Sequence, residues 1–196
     1  MSFNIAFVLF PDFEELDFAG PYEVLAMTAK YIDTSWRAYS VAETPAVRAF
    51  HGMTVVPDYT FENAPAPDMI CVPGGFGTRP GMDHEPLVAY IRRTGRAAQY
   101  VTSVCTGALL LHRAGFLAGK RATTHWGAKQ ELRDLGGGTK VVDAGRWVHD
   151  GNVITAAGVS AGIDMALYVV GMLKTPDDAR KVQNFMEYHP APPYGG

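Results

Sequence analysis

Three short stretches that are apolar almost without interruption do most to limit how this chain can fold. They are NIAFVLF (Asn4 to Phe10), DMICVPGG (Asp68 to Gly75) and QYVTSV (Gln99 to Val104). A strand with one face in water alternates apolar and polar residues. A strand covered on both faces does not, and such strands belong to parallel sheets flanked by helices. Each run ends at a turn signal and leads into a helical pattern, which predicts an α/β fold with a mostly parallel central sheet and helices on both faces.

The rest of the chain fits that frame. Gly20-Pro21 is expected to open a helix reaching about Lys30, with proline in the tolerated first turn. Ser35 to Ala42 reads as a second strand, and Val47 to Val56 as a hairpin turning at His51-Gly52. Glu85 to Arg96 has the pattern of an amphipathic helix. Thr106 to Ala114 is apolar nearly all round and closes at Gly115, so it is expected to lie buried on the sheet. Trp126 to Leu135 reads as helical. Lys140 to Asp143, Arg146 to His149 and Val153 to Ala156 read as strands. Two more helices are expected over Ala161 to Leu173 and Asp177 to Glu187, and the tail HPAPPYGG reads as extended chain along the surface. With no repeat or long linker, residues 1–196 are expected to form a single domain.

Composition excludes several roles. A net charge of −3 offers no attraction to nucleic acid or an anionic membrane. No apolar run is long enough to span a bilayer. The start, MSFNIAFVLFPDFEELD, has neither a basic leader nor a small-residue cleavage site, so it does not read as a signal peptide. The two cysteines, Cys71 and Cys105, make no metal or disulfide spacing, and the expected compartment is the cytoplasm.

Those cysteines differ in setting. Cys71 lies inside the apolar run MICVP and reads as core packing. Cys105 sits at the joint of a strand and a helix, in Ser103-Val104-Cys105-Thr106-Gly107, the context of a nucleophile elbow. There the thiol is expected to face outward at the sheet's carboxyl edge, where open α/β sheets bind ligands. The adjoining helix start should favour thiolate over thiol.

Four features can serve that sulfur. The first is the acidic loop after the first strand, with Asp12, Glu14, Glu15 and Asp17. Asp17 is the best acid-base candidate because it sits deepest, between Leu16 and Phe18. The second is Pro73-Gly74-Gly75-Phe76-Gly77, whose backbone N–H groups are expected to form an anion pocket; it lacks the Lys-Ser/Thr ending of a phosphate loop. The third is His125 in Thr123-Thr124-His125-Trp126, either the base of a Cys-His pair or a helix-start histidine facing away. The fourth is Thr106, whose hydroxyl is placed to orient substrate or water.

These residues resemble those of the DJ-1/PfpI superfamily of flavodoxin-like proteins, and in particular its isonitrile hydratase branch. The segments that carry the resemblance are LFPDFEELDFAGPYEVL, ICVPGG, YVTSVCTGALLL, RATTHW, AGVSAGID and YHPAPPY. Part of the pattern is shared with sensor domains of AraC-type transcription regulators, which add a helix-turn-helix domain for which this chain is expected to have no room. The resemblance implies hydration of an isonitrile, R–N≡C, to an N-substituted formamide without metal or organic cofactor. It implies Cys105 as nucleophile forming a thioimidate, Asp17 as acid and base, and Thr106 beside them. Gly75, Phe76, His125 and Trp126, with Phe18 and Tyr22, would lie around the substrate. A homodimer is the implied assembly, with no nucleic acid or membrane partner. Other activities of the superfamily, glyoxalase or peptidase, and a non-catalytic ligand- or redox-sensing module are the competing expectations.

Overall fold

The computed structural model describes residues 2–191. Its elements follow the alternation read above. Strands β1 (Phe3–Val8) and β2 (Trp36–Ala42) flank helix α1 (Glu15–Met27), which runs on into a π-helical turn, Thr28–Ile32. The hairpin β3 (Val47–Arg48) and β4 (Thr54–Val55) is followed by β5 (Tyr59–Thr60), β6 (Met69–Val72), α2 (Thr78–Met82) and α3 (Glu85–Ala97). Then come β7 (Tyr100–Ser103), α4 (Gly107–Arg113), β8 (Arg121–Ala122), a 3₁₀ turn at Trp126–Ala128 and α5 (Lys129–Asp134). Strands β9 (Lys140–Val141), β10 (Trp147–Asp150) and β11 (Val153–Ala156) precede α6 (Ala161–Leu173) and α7 (Pro176–Phe185).

Seven strands form the main sheet in the order β10-β11-β7-β6-β1-β2-β5. All its neighbours are parallel except β10 with β11. The chain winds outward from β1 through β2 and then returns to place β6 on the other side. The strand order therefore reverses between β1 and β6, and their carboxyl ends form the crevice where such sheets place ligands.

The unbroken apolar runs are explained by what covers them. Along β1, Ala6 and Val8 pack with α3 and α4, whereas Ile5 and Phe7 pack with α1 and α6. Along β6, Ile70 and Val72 face the first side, Met69 and Cys71 the second. Both faces are dry, so alternation has nothing to mark.

The short elements β5, α2 and β8 add to the expected set, the helix expected from Trp126 begins as a 3₁₀ turn, and α1 starts earlier than expected. Helix α1 begins at Glu15, so Pro21 lies inside it rather than in its first turn. Proline has no N–H to give to the Asp17 carbonyl, which normally weakens a helix interior. Packing offsets this: a side chain on Gly20 would meet Ile163 of α6 at 2.9 Å, and one on Gly162 of α6 would meet the Pro21 ring at 3.2 Å. Gly20-Pro21 is thus the seam between α1 and α6, and the acids expected in a loop are partly in the first helical turn. In the tail, His189 to Ala191 have no regular structure, and residues 192–196 of the expected extended segment lie outside the described residues.

Candidate active site

Cys105 stands where β7 ends and α4 begins, with φ of +55°. A non-glycine residue in this left-handed region stores roughly 1–3 kcal/mol of strain, and the surroundings hold it there. The Val104 N–H donates to the Val72 carbonyl at 3.0 Å, and the Cys105 N–H to the Ala156 and Ala157 carbonyls at 3.2 and 3.0 Å. The Thr124 hydroxyl donates to the Cys105 carbonyl at 2.7 Å. Gly107 permits the sharp turn, because a side chain there would meet the Val72 carbonyl oxygen at 2.2 Å. The elbow read from the sequence is therefore present in the backbone.

The thiol's surroundings differ from expectation. Cys105 is 7% exposed and packs in the core layer on the α1–α6 side of the sheet, rather than facing outward. Its pKa is pushed up to about 12, first by burial and then by the charge of Asp17. The Thr106 and Val159 N–H groups pull the other way, and burial outweighs them. Burial and the adjoining carboxyl therefore work against the helix start, which favours thiolate. Val159, at φ +41°, is a second strained non-glycine residue at the site and was not singled out from the sequence.

Asp17 is fully buried on the first turn of α1. Its Oδ2 accepts from the Gly74 N–H at 2.8 Å, its Oδ1 has no hydrogen-bond partner among the described residues, and the Cys105 thiol lies beside the carboxyl. Burial raises its pKa to about 8; the Gly74 N–H opposes that, the charge of Glu14 adds to it, and the thiol contact lowers it. At neutral pH the carboxyl carries its proton. Acid and sulfur therefore form one coupled proton-holding pair.

The glycine-rich turn does other work than expected. The Gly74 N–H is committed to Asp17, and the Gly75 N–H donates to the Thr106 hydroxyl at 2.9 Å. That hydroxyl donates in turn to the Gly75 carbonyl at 3.1 Å. These two N–H groups hold the acid and the elbow in register instead of waiting for an anion, and the Thr106 hydroxyl is engaged rather than free to orient substrate. A side chain on Gly74 would meet the Thr106 nitrogen at 2.5 Å and Asp17 Oδ2 at 2.7 Å, so only glycine fits between them. Gly75, at φ +121°, backs onto the Asp12 carbonyl.

The remaining expected residues fall into two groups. Phe18 and Tyr22 pack with Phe7 on the Cys105 side of the sheet. His125 caps the turn that follows it: its Nδ1 accepts from the Gly127 N–H at 3.2 Å, and its ring covers Gly158, whose side chain, if any, would meet it at 2.3 Å. It is the helix-start histidine of the two alternatives. Trp126 is 79% exposed, and Phe76 is 64% exposed and stacked on Phe50 at 4.5 Å, so neither closes over the sulfur within the chain. Among the described residues, Glu14, Glu15 and His51 bring possible metal-ligating atoms within 4.8 Å of one another. Glu15 Oε1 is already used there, accepting from the His51 N–H at 2.8 Å, so the cluster ties the hairpin to α1.

Comparison with known proteins adds four findings. The model of the DJ-1/PfpI family matches residues 3–172. The chain is 44% identical over 195 residues to the isonitrile hydratase of Pseudomonas putida, covering 99% of this chain and 82% of that protein. The crystal structure of a THiJ/PfpI family protein from Pseudomonas syringae superposes with a TM-score of 0.91 at 33% identity, covering 99% of this chain and 78% of that one. The HTH-type transcriptional regulator GbdR of Pseudomonas aeruginosa is 29% identical over 172 residues, and the match spans 46% of the regulator.

Proposed function

The chain belongs to the DJ-1/PfpI family, and from that premise we propose that it is an isonitrile hydratase, a hydro-lyase that adds water to R–N≡C to give an N-substituted formamide. The observation that carries this reading is the 44% identity, over nearly the whole chain, to an isonitrile hydratase. The coupled Cys105–Asp17 pair supplies the chemistry.

An isonitrile carbon bears a lone pair and becomes electrophilic once protonated. The Asp17 carboxyl, protonated at neutral pH, gives its proton to that carbon. The carboxylate left behind takes the thiol proton as Sγ bonds to the carbon, leaving the thioimidate R–N=CH–S and a restored carboxyl. Asp17 then protonates the nitrogen and accepts a proton from the water that attacks the same carbon. Collapse of the adduct breaks the C–S bond, returns the proton to sulfur and releases the formamide. Two modest steps replace one difficult one. Every group used comes from the chain or from water, so these steps need no metal or organic cofactor. The strained Cys105 backbone aims Sγ, and the Gly74 N–H keeps the acid against it.

The same reading takes residues 1–196 as one domain, acting as a homodimer in the cytoplasm, with no nucleic acid or membrane among its partners. Among the described residues no helix is long and apolar enough to cross a membrane. Phe18 and Tyr22 are assigned to the substrate side, with Trp126 and Phe76 as further lining.

The likeness to a transcriptional regulator favours a second reading, a non-catalytic ligand-sensing module. Turnover separates the two. Incubation of the purified protein with an aryl isonitrile should release the corresponding N-aryl formamide, followed by chromatography. Binding without formamide would move the protein to the sensing class.

A further inference from the structure

A cavity of about 330 Å³ opens at the carboxyl edge of the sheet beside β1 and β2. It is not the site just described. Leu9, Phe10, Val47 and Leu87 in its walls belong to the core layer on the α3–α4 side, whereas Cys105 belongs to the layer on the other side. Its size is within the range of small-molecule sites. Apolar walls of this extent hold water poorly, so an apolar occupant gains by displacing it.

The mouth supplies the polar recognition. Asp12 and Glu43 line it, with His84, whose Nε2 lies 2.5 Å from Glu43 Oε2. Among the described residues, no lysine or arginine lines the cavity. Two carboxylates against one histidine, over an apolar pit, favour a cationic head on an apolar body and disfavour an anion. We propose that this cavity is a second small-molecule site that takes an apolar monocyclic or short-chain primary amine. The ammonium sits between Asp12 and Glu43, and the apolar body rests against Leu9, Phe10 and Val47. The floor is shared with the catalytic loops: the Gly77 N–H donates to the Asp12 carbonyl at 3.1 Å, and Asp12 holds φ of +58°.

Benzylamine is a suitable probe, titrated into isotope-labelled protein and followed by amide NMR shifts. The expected result is saturable binding with a dissociation constant of roughly 1 mM, and shifts clustered at Leu9, Val47 and Gly81. Thr44→Trp, at an exposed lining position, should fill the cavity and abolish those shifts. Asp12→Asn combined with Glu43→Gln should weaken binding about tenfold; asparagine tolerates the left-handed backbone of Asp12. Benzoate should not bind. Cys105→Ser should bind benzylamine as the wild type does, so this test stands apart from the hydratase reading. Shifts that fail to saturate, shifts clustered at Cys105, or benzoate binding as well as benzylamine would overturn the site. If Thr44→Trp does not fold, the benzylamine–benzoate comparison on the wild type decides.

Discussion

The two thiols lie on the same side of one sheet, one inside β6 and the other just past β7, and burial raises the pKa of each to about 12. Their proton affinities do not tell them apart. Their backbones and neighbours do. Cys71 sits in regular strand, fully buried, beside Thr102, whose hydroxyl donates to the Ile70 carbonyl at 2.9 Å. Cys105 sits in strained left-handed backbone, with two N–H groups and a fully buried acid at the sulfur. What sets Cys105 apart from Cys71 is local geometry and a buried acid at its sulfur.

Replacing each sulfur in turn is the strongest way to break that contrast. Cys105→Ala should lower formamide production by at least about a thousandfold, the scale at which a covalent route is lost. Cys71→Ala should leave turnover near wild type and cost about 1 kcal/mol of stability, as a small core truncation does. Equal losses of turnover would erase the distinction between the two positions.

Asp17→Asn removes the proton carrier, and kcat should fall about 10²- to 10⁴-fold. In the wild type, kcat/KM should decline as pH rises through about 8, where Asp17 loses its proton. Stability gives an independent check. The folded pKa of Asp17 is raised from 3.8, so between about 4 and 8 the folded state binds the proton that the unfolded state releases. Its contribution to stability therefore falls as pH rises across that window. Asp17→Asn removes the penalty: denaturant unfolding should show a variant on the order of 1 kcal/mol or more stabler than wild type at pH 8, with a flatter pH profile.

A smaller effect sharpens the backbone half of the contrast. Cys105→Gly should abolish turnover yet raise stability by about 1 kcal/mol, because glycine accepts φ of +55° without strain. Cys71→Gly should destabilise, since glycine in a buried strand loses packing and backbone entropy. The smallest effect belongs to His125→Ala: kcat should change by less than about fivefold, because that ring caps Gly127 and covers Gly158.

The parts visible in the sequence are those with local causes. Ala161–Leu173 was readable from end to end because an all-round apolar helix has a distinctive pattern. The hairpin of β3 and β4 followed from His51-Gly52, and the elbow from Ser103 to Gly107. Asp17 stood out among four acids because its neighbours are apolar, and it is the buried one. What escaped depends on distant contacts. Pro21 misplaced the start of α1, because α6 supplies the packing that lets proline sit mid-helix. Cys105 was expected in the open; α1 and α6 bury it, and the Val159 N–H reaches it from the turn between β11 and α6. A faint signal existed there: AGVSAG is another strand-to-helix joint at the carboxyl edge of the same sheet.

Trapping decides the account most directly. The wild-type protein can be mixed with excess aryl isonitrile, quenched in acid within milliseconds to seconds and read by intact-protein and peptide mass spectrometry. The account predicts a mass increase equal to one isonitrile, on the peptide carrying Cys105 and absent from the one carrying Cys71. Formamide forming while the protein never carries that mass on Cys105 at any quench time would contradict it.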